Sequence, residues 1–163
     1  MKSRIFRLVL CTLLILAMTA GTMSAFAAPK IVMILKCTVE YGRLREGPSS
    51  DYEVIAKLDK GERVFYLGEK EGSFAYVRTA TGEMGYIYDG FLESYGAARY
   101  DQIYYAAEKG VAIYKSNSTG SGRVTRLDEN EHVLVFKIAG NWGFVKTLDG
   151  KGGYMRLSDL YQI

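Results

Sequence analysis

Few residues in this chain could carry acid–base, nucleophilic or metal chemistry. Its 163 residues include one histidine, His132, and two cysteines, Cys11 and Cys37. A cysteine–histidine hydrolase needs the two side chains in contact and a third group to orient the imidazole. Cys37 and His132 fall in different halves of the chain, and nothing in their spacing joins them. A zinc site takes three or four His, Cys or carboxylate ligands, which these residues do not supply. The densest acidic cluster, Asp128-Glu129-Asn130-Glu131, precedes an apolar run, where Asp and Asn serve turn geometry. No glycine-rich loop leads from a strand into a helix to cradle a phosphate. The expectation is a chain that is not an enzyme and has no cofactor and no metal. His132 is expected at an exposed strand start. Cys37 is expected to be a small hydrophobe buried in a strand, the alternative being a bridge to another chain.

The elements that could position a binding site come next, beginning at the N-terminus. Residues 1–7 contain Lys2, Arg4 and Arg7 and no acid, residues 8–18 are almost wholly apolar, and Ala25-Phe26-Ala27 follows. A basic start, a short apolar run and an A-x-A site predict a secretory signal peptide over residues 1–27, cleaved before Ala28. The apolar run is shorter than the roughly 20 residues a spanning helix needs. The mature chain is therefore expected to have no membrane span and to be secreted or held in the cell envelope. Removing Lys2, Arg4 and Arg7 leaves 18 basic residues against 18 acidic ones. A nucleic-acid binder would keep a basic excess, so nucleic acid is not an expected partner. Cys37 is then the only cysteine, and stability must come from packing without an internal disulfide.

Self-comparison shows a repeat. Gly72-Ser73-Phe74-Ala75-Tyr76-Val77 aligns with Gly140-Asn141-Trp142-Gly143-Phe144-Val145 at an offset of 68. The same offset pairs Gly85-Tyr86-Ile87 with Gly153-Tyr154-Met155 and Leu92 with Leu160. With one residue of slip, Leu58 pairs with Leu127 and Val64 with Val133. The runs at 63–67 and 132–136 are β-branched and aromatic, and Thr81-Gly82 and Asp149-Gly150 are hairpin signals. No sustained helical period occurs in the mature chain. Short strands with glycine turns predict an all-β fold of two tandem small barrels. Barrel 1 is expected over 28–93, a linker over 94–103 and barrel 2 over 104–163.

The first unit resembles the bacterial SH3 (SH3b) domain. The resemblance is carried by Arg43-Leu44-Arg45-Glu46-Gly47-Pro48-Ser49-Ser50, by Val54-Ile55-Ala56-Lys57-Leu58-Asp59-Lys60-Gly61, by Gly72-Ser73-Phe74 and by Gly82-Glu83-Met84-Gly85-Tyr86-Ile87. The family typically has asparagine where Arg43 stands and tryptophan where Phe74 stands. The second unit keeps the tryptophan, as Trp142, but Ala112-Ile113-Tyr114-Lys115-Ser116-Asn117 replaces the arginine–glycine–proline segment. The resemblance implies two SH3-like barrels of five to six strands. It also implies a role in binding cell-wall peptidoglycan or short peptides.

Aromatic residues are the surplus that could form a binding surface. The mature chain has 13 tyrosines, 5 phenylalanines and 1 tryptophan. Residues two apart in a strand share a face, so Phe74 and Tyr76 lie opposite Ala75 and Val77. Trp142 and Phe144 likewise lie opposite Gly143 and Val145. Small residues and valine suit the inside of a narrow barrel, which turns the rings outward. The candidate ligand-binding residues are Phe74, Tyr76, Tyr86, Trp142, Phe144 and Tyr154. Such rings stack on sugars or peptides, or else cover a barrel end or the contact between repeats. The expected function is non-catalytic binding of cell-wall glycan or peptide. The alternative is a protein–protein interaction or inhibitor module that engages an envelope protein.

Overall fold

The computed structural model describes residues 30–163. The expected signal peptide lies outside the described residues. The fold is all-β, with fourteen strands in two seven-stranded antiparallel sheets. Sheet one contains β1 (Ile31–Cys37), β2 (Gly42–Arg45), β3 (Val54–Leu58), β4 (Arg63–Glu71), β5 (Phe74–Arg78), β6 (Met84–Tyr88) and β7 (Leu92–Arg99). Sheet two contains β8 (Ile103–Ala106), β9 (Ala112–Tyr114), β10 (Arg123–Arg126), β11 (His132–Ala139), β12 (Trp142–Thr147), β13 (Gly152–Arg156) and β14 (Leu160–Gln162). Their spatial orders are β3-β2-β6-β5-β4-β1-β7 and β10-β9-β13-β12-β11-β8-β14. These orders are identical once each strand is matched to its repeat, so the chain forms two SH3-like barrels. Each sheet has seven strands, more than the five to six the resemblance implies; in sheet two they include segments as short as Ala112–Tyr114 and Leu160–Gln162.

Each barrel closes on residues that the repeat pairs. Cys37, Leu44, Leu58, Val64, Val77 and Ile87 form the first core. Ala106, Ile113, Leu127, Val133, Val145 and Met155 form the second, in the same places. Cys37 is fully buried and free, with its thiol directed at backbone carbonyls of Val39 and Leu58. Gly85 and Gly153 are matched sites of close approach. A Cβ there would sit 2.5 Å from the Arg45 carbonyl oxygen and 2.4 Å from that of Tyr114. Only glycine lets β6 and β13 pass β2 and β9 at that distance.

A third apolar cluster joins the barrels. Val32, Ile34, Phe65 and Ala98 from the first meet Ile103, Leu134 and Leu148 from the second. Ile34 pairs with Phe65 across β1 and β4, as Ile103 pairs with Leu134 across β8 and β11. Corresponding faces of the two repeats therefore pack on each other, as in a two-fold dimer. The polar links follow the same symmetry. Arg63 donates from Nη1 to the Leu148 carbonyl. His132, its counterpart, donates from its backbone N–H to the Ala80 carbonyl at 2.7 Å, with ring Nδ1 3.3 Å from the same oxygen. No ion pair crosses the seam among the described residues.

Two sequence expectations change here. Residues 94–99, expected as linker, are strand, with β7 pairing along β1 from Leu92–Cys37 to Arg99–Ile31. The connection shortens to a 3-10 turn, Tyr100–Gln102. Within this strand Gly96 and Ala97 are exposed, and Ala98 alone is buried in the seam. His132, expected to be exposed, is only 5% exposed. Its ring packs between Phe65 and Tyr105, at 6.0 and 5.9 Å. The strand start is a surface position in an isolated barrel and an interface position in the pair.

Two outcomes are expected. Phe65→Ala removes a ring that is 1% exposed and should cost about 3–5 kcal/mol. Hydrogen exchange should speed up in both barrels together; loss of protection confined to the first would contradict a shared seam. Burial holds the His132 imidazole below its ordinary range; the Ala80 carbonyl opposes this and Arg78 reinforces it. A histidine whose pKa is depressed on folding contributes stability above its unfolded pKa of about 6.5, and that stability is lost as pH falls through the folded value. Burial raises the Glu62 and Glu131 carboxyls, giving a contribution of opposite sign. The histidine effect is isolated by comparing urea unfolding of the parent and His132→Gln. The parent should lose more stability than the variant between pH 7 and pH 5.

Candidate functional site

The strand alternation turns the aromatic residues outward. Along β5, Ala75 and Val77 are buried while Phe74, Tyr76 and Arg78 are half-buried on the other face. Along β12, Gly143 and Val145 are buried and Trp142 and Phe144 are half-buried outside. None of these outward rings belongs to the seam between the barrels.

The six candidate residues separate into two kinds. Tyr76 pairs with Tyr86 across β5 and β6, with ring centroids 4.8 Å apart. At the matched place in barrel 2, Phe144 pairs with Tyr154 across β12 and β13 at 5.4 Å. A cross-strand aromatic pair present in both repeats is a sheet-stabilising contact. Burial and the neighbouring Glu71 carboxylate, which accepts its hydroxyl at 3.2 Å, raise the Tyr86 phenol. The second kind differs between the repeats. Phe74 pairs with Tyr88 in barrel 1, whereas Trp142 pairs with Arg156 in barrel 2.

Around Phe74 the structure forms a pocket of about 440 Å³. Phe74, Tyr88 and Phe91 form an edge-to-face series, Phe74 to Tyr88 at 6.1 Å and Tyr88 to Phe91 at 5.1 Å. Tyr41, Val39 and Glu40 from the turn after β1, Arg43 and Arg45 from β2, and Ser50 complete the wall. Phe91 is fixed because its carbonyl accepts from the Thr38 backbone N–H at 2.8 Å and from the Thr38 hydroxyl at 3.0 Å. Arg45 donates to the Tyr52 carbonyl at 2.6 Å, holding the loop that carries Ser50. Asp89, between Tyr88 and Phe91, pairs with Lys70, whose hydrogen bond and charge lower the carboxyl. The arrangement offers aromatic faces beside two guanidinium groups and one carboxylate, chemistry suited to stacking and hydrogen bonding.

Of the six candidates, this pocket includes Phe74 alone. Tyr41, Phe91 and Ser50 are added by the fold. Tyr41 carries a local signal that only the backbone reveals. Its φ is +62°, in the left-handed region, while Gly110 holds the matched position in barrel 2 at +87°. A bulky residue there costs about 1–2 kcal/mol, and strain of this kind concentrates at functional sites. The Tyr41 ring is 67% exposed and recovers little of that cost by burial.

The counterpart cleft in barrel 2 is lined by Asn141, Trp142, Arg156, Leu157 and Ser158. Arg156 and Asp159 stand where barrel 1 has Tyr88 and Phe91. The Arg156 guanidinium lies 5.7 Å from the Trp142 ring, and Tyr114 meets the indole edge to face at 5.8 Å. The tryptophan is thus engaged by its own barrel, and the aromatic wall is missing.

Two antiparallel SH3-like barrels, one with an open aromatic–arginine pocket, define the class of this protein. Residues 40–93 match the bacterial SH3 domain, so barrel 1 carries that domain. The solved structures that the chain resembles include NlpC2 and NlpC1 from Trichomonas vaginalis. They are 18% and 19% identical, cover 80% and 84% of this chain and 48% of each of those, and have TM-scores of 0.35 and 0.34. An NlpC/P60 family protein from Bacillus cereus ATCC 10987 is 11% identical over 78% of this chain and 55% of that one, with a TM-score of 0.34. The chain spans about half the length of these proteins. No curated protein sequence matches it.

Tyr41→Gly tests whether the strained tyrosine serves binding. The substitution relieves the left-handed strain and should leave the melting temperature unchanged or higher, while weakening any ligand held in the pocket. A fall in melting temperature would show that the ring is structural.

Proposed function

We propose that this chain is an exported, non-catalytic binding protein, and that barrel 1 holds cell-wall glycan or peptide in the pocket of Tyr41, Phe74, Tyr88 and Phe91. One observation carries this reading: an open pocket of about 440 Å³ in which aromatic faces stand beside Arg43 and Arg45, within the segment that matches the bacterial SH3 domain. Aromatic faces stack on the apolar faces of sugar rings and on peptide planes. Guanidinium groups take carboxylates and carbonyls of a peptide stem. The basic, apolar and small-residue order of residues 1–27 supports export. A non-catalytic role is supported by the separation of Cys37 and His132, buried in different sheets.

Barrel 2 serves mainly as a scaffold in this reading. Its own arginine covers the tryptophan that would otherwise stack on a ligand, and its seam with barrel 1 completes the fold. The chain then engages a polymer at one site per molecule.

Sedimentation with purified cell-wall sacculi tests the proposal. Phe74→Ala should weaken binding by about 5- to 150-fold, the range of 1–3 kcal/mol found for one stacked ring. Trp142→Ala should change binding by less than about threefold, far below the stacking range. Failure of the parent chain to sediment with sacculi, with capture of an envelope protein through the same pocket, would transfer the function to a protein partner.

A further inference from the structure

The seam between the barrels opens at one end into a cleft of about 330 Å³. Barrel 1 contributes Arg63, Tyr95 and the Gly96–Ala97 backbone; barrel 2 contributes Phe136, Lys146 and Gly150. The charged residues lining it are both basic, and neither forms an ion pair among the described residues. Each cation rests on an aromatic ring instead. The Arg63 guanidinium carbon lies 3.9 Å from the Tyr95 ring centroid, and Lys146 Nζ lies 5.6 Å from that of Phe136.

Arg63 is the less satisfied of the two. Nη1 donates to the Leu148 carbonyl, while Nε is buried without a hydrogen-bond partner among the described residues. A half-buried guanidinium with an unmet donor and no counter-charge carries a desolvation cost, and a buried polar group left without a partner calls for an explanation such as an unseen water or ion. The quasi-symmetric cleft on the other side of the seam sharpens the point. There His132 takes the place of Arg63, held towards its neutral form by burial, and Arg78 is the only lysine or arginine in the lining. The two clefts share a scaffold and differ in charge, so the doubled cation is particular to the Arg63 side.

We propose that this cleft is a binding site for an oxyanion group, carboxylate or phosphate, held between Arg63 and Lys146 and flanked by the Tyr95 and Phe136 rings. The site is separate from the barrel 1 pocket and shares no lining residue with it. It needs both barrels, since each supplies one cation and one ring. Clefts between domains favour such sites, and the low-dielectric aromatic walls strengthen attraction to an anion relative to open water.

The test is a titration of the ¹⁵N-labelled chain with inorganic phosphate, with acetate and with chloride at constant ionic strength, followed by amide shifts. Saturable shifts at Gly96, Ala97 and Gly150 with phosphate or acetate, and none with chloride, are expected. Saturation by acetate alone identifies a carboxylate ligand, and saturation by phosphate alone a phosphate ligand. Lys146→Gln, at an exposed position, should weaken the saturable binding about fivefold, the value of roughly one exposed charge pair. Arg63→Gln should weaken it further, with a melt confirming that the variant is folded. Non-saturating shifts with both oxyanions, or unchanged binding in the folded Lys146→Gln and Arg63→Gln variants, would overturn the site.

Discussion

A β-barrel of about 60 residues buries only about 60% of the surface its unfolded chain exposes and is marginal alone. In this chain that constraint is met by fusing two barrels through one apolar seam. Phe65, Ile34, Val32 and Ala98 pack on Leu134, Ile103 and Leu148, which joins two small cores into a longer one. Among the described residues no disulfide constrains the fold, since Cys37 is free, so the rest of the structure depends on this contact. Because corresponding faces meet, a single self-complementary surface serves both halves. Among the described residues Arg63 is the charged group that reaches across in a hydrogen bond, matched on the other side by His132.

A duplicated scaffold frees one copy to change. The cross-strand pairs Tyr76–Tyr86 and Phe144–Tyr154 occupy the same place in both sheets, where they hold neighbouring strands. At the barrel end the copies part. Barrel 1 has Tyr88 and Phe91 around Phe74, and barrel 2 has Arg156 and Asp159 around Trp142. One end is walled by aromatic rings; at the other, the Arg156 guanidinium faces the Trp142 ring. The left-handed turn after the first strand shows the same division, with glycine in barrel 2 and a strained Tyr41 in barrel 1. The reverse holds before the fourth strand of each barrel, where barrel 1 has Gly61 and barrel 2 has Asn130 at φ +62°, a residue type that tolerates this region.

The repeat also accounts for the two clefts along the seam. Quasi-two-fold packing generates them as a pair, and substitution of one residue type, arginine for histidine, makes them electrically unlike. A surface that arises as a by-product of packing thereby acquires a charge suited to an anion. Such a site exists only in the docked pair, because neither barrel supplies both cations.

The sequence by itself determined the all-β class, the two tandem units and the outward direction of the rings. Strand periodicity and a constant offset are local signals, and Ala75, Val77, Gly143 and Val145 are buried as alternation requires. It also placed Phe74 among the ligand candidates and marked Arg43 and Arg45 through the bacterial SH3 resemblance. Only the tertiary structure decided which rings form a pocket. Phe74 and Tyr76 share a face, yet Phe74 alone reaches Tyr88, Phe91 and the turn holding Tyr41, because barrel closure brings together segments up to about 50 residues apart. The same holds for His132 and for Ala98, whose exposure on an isolated barrel becomes burial once the second barrel docks. Periodicity reports which face of a strand is apolar, and it carries no information about which neighbour that face will meet.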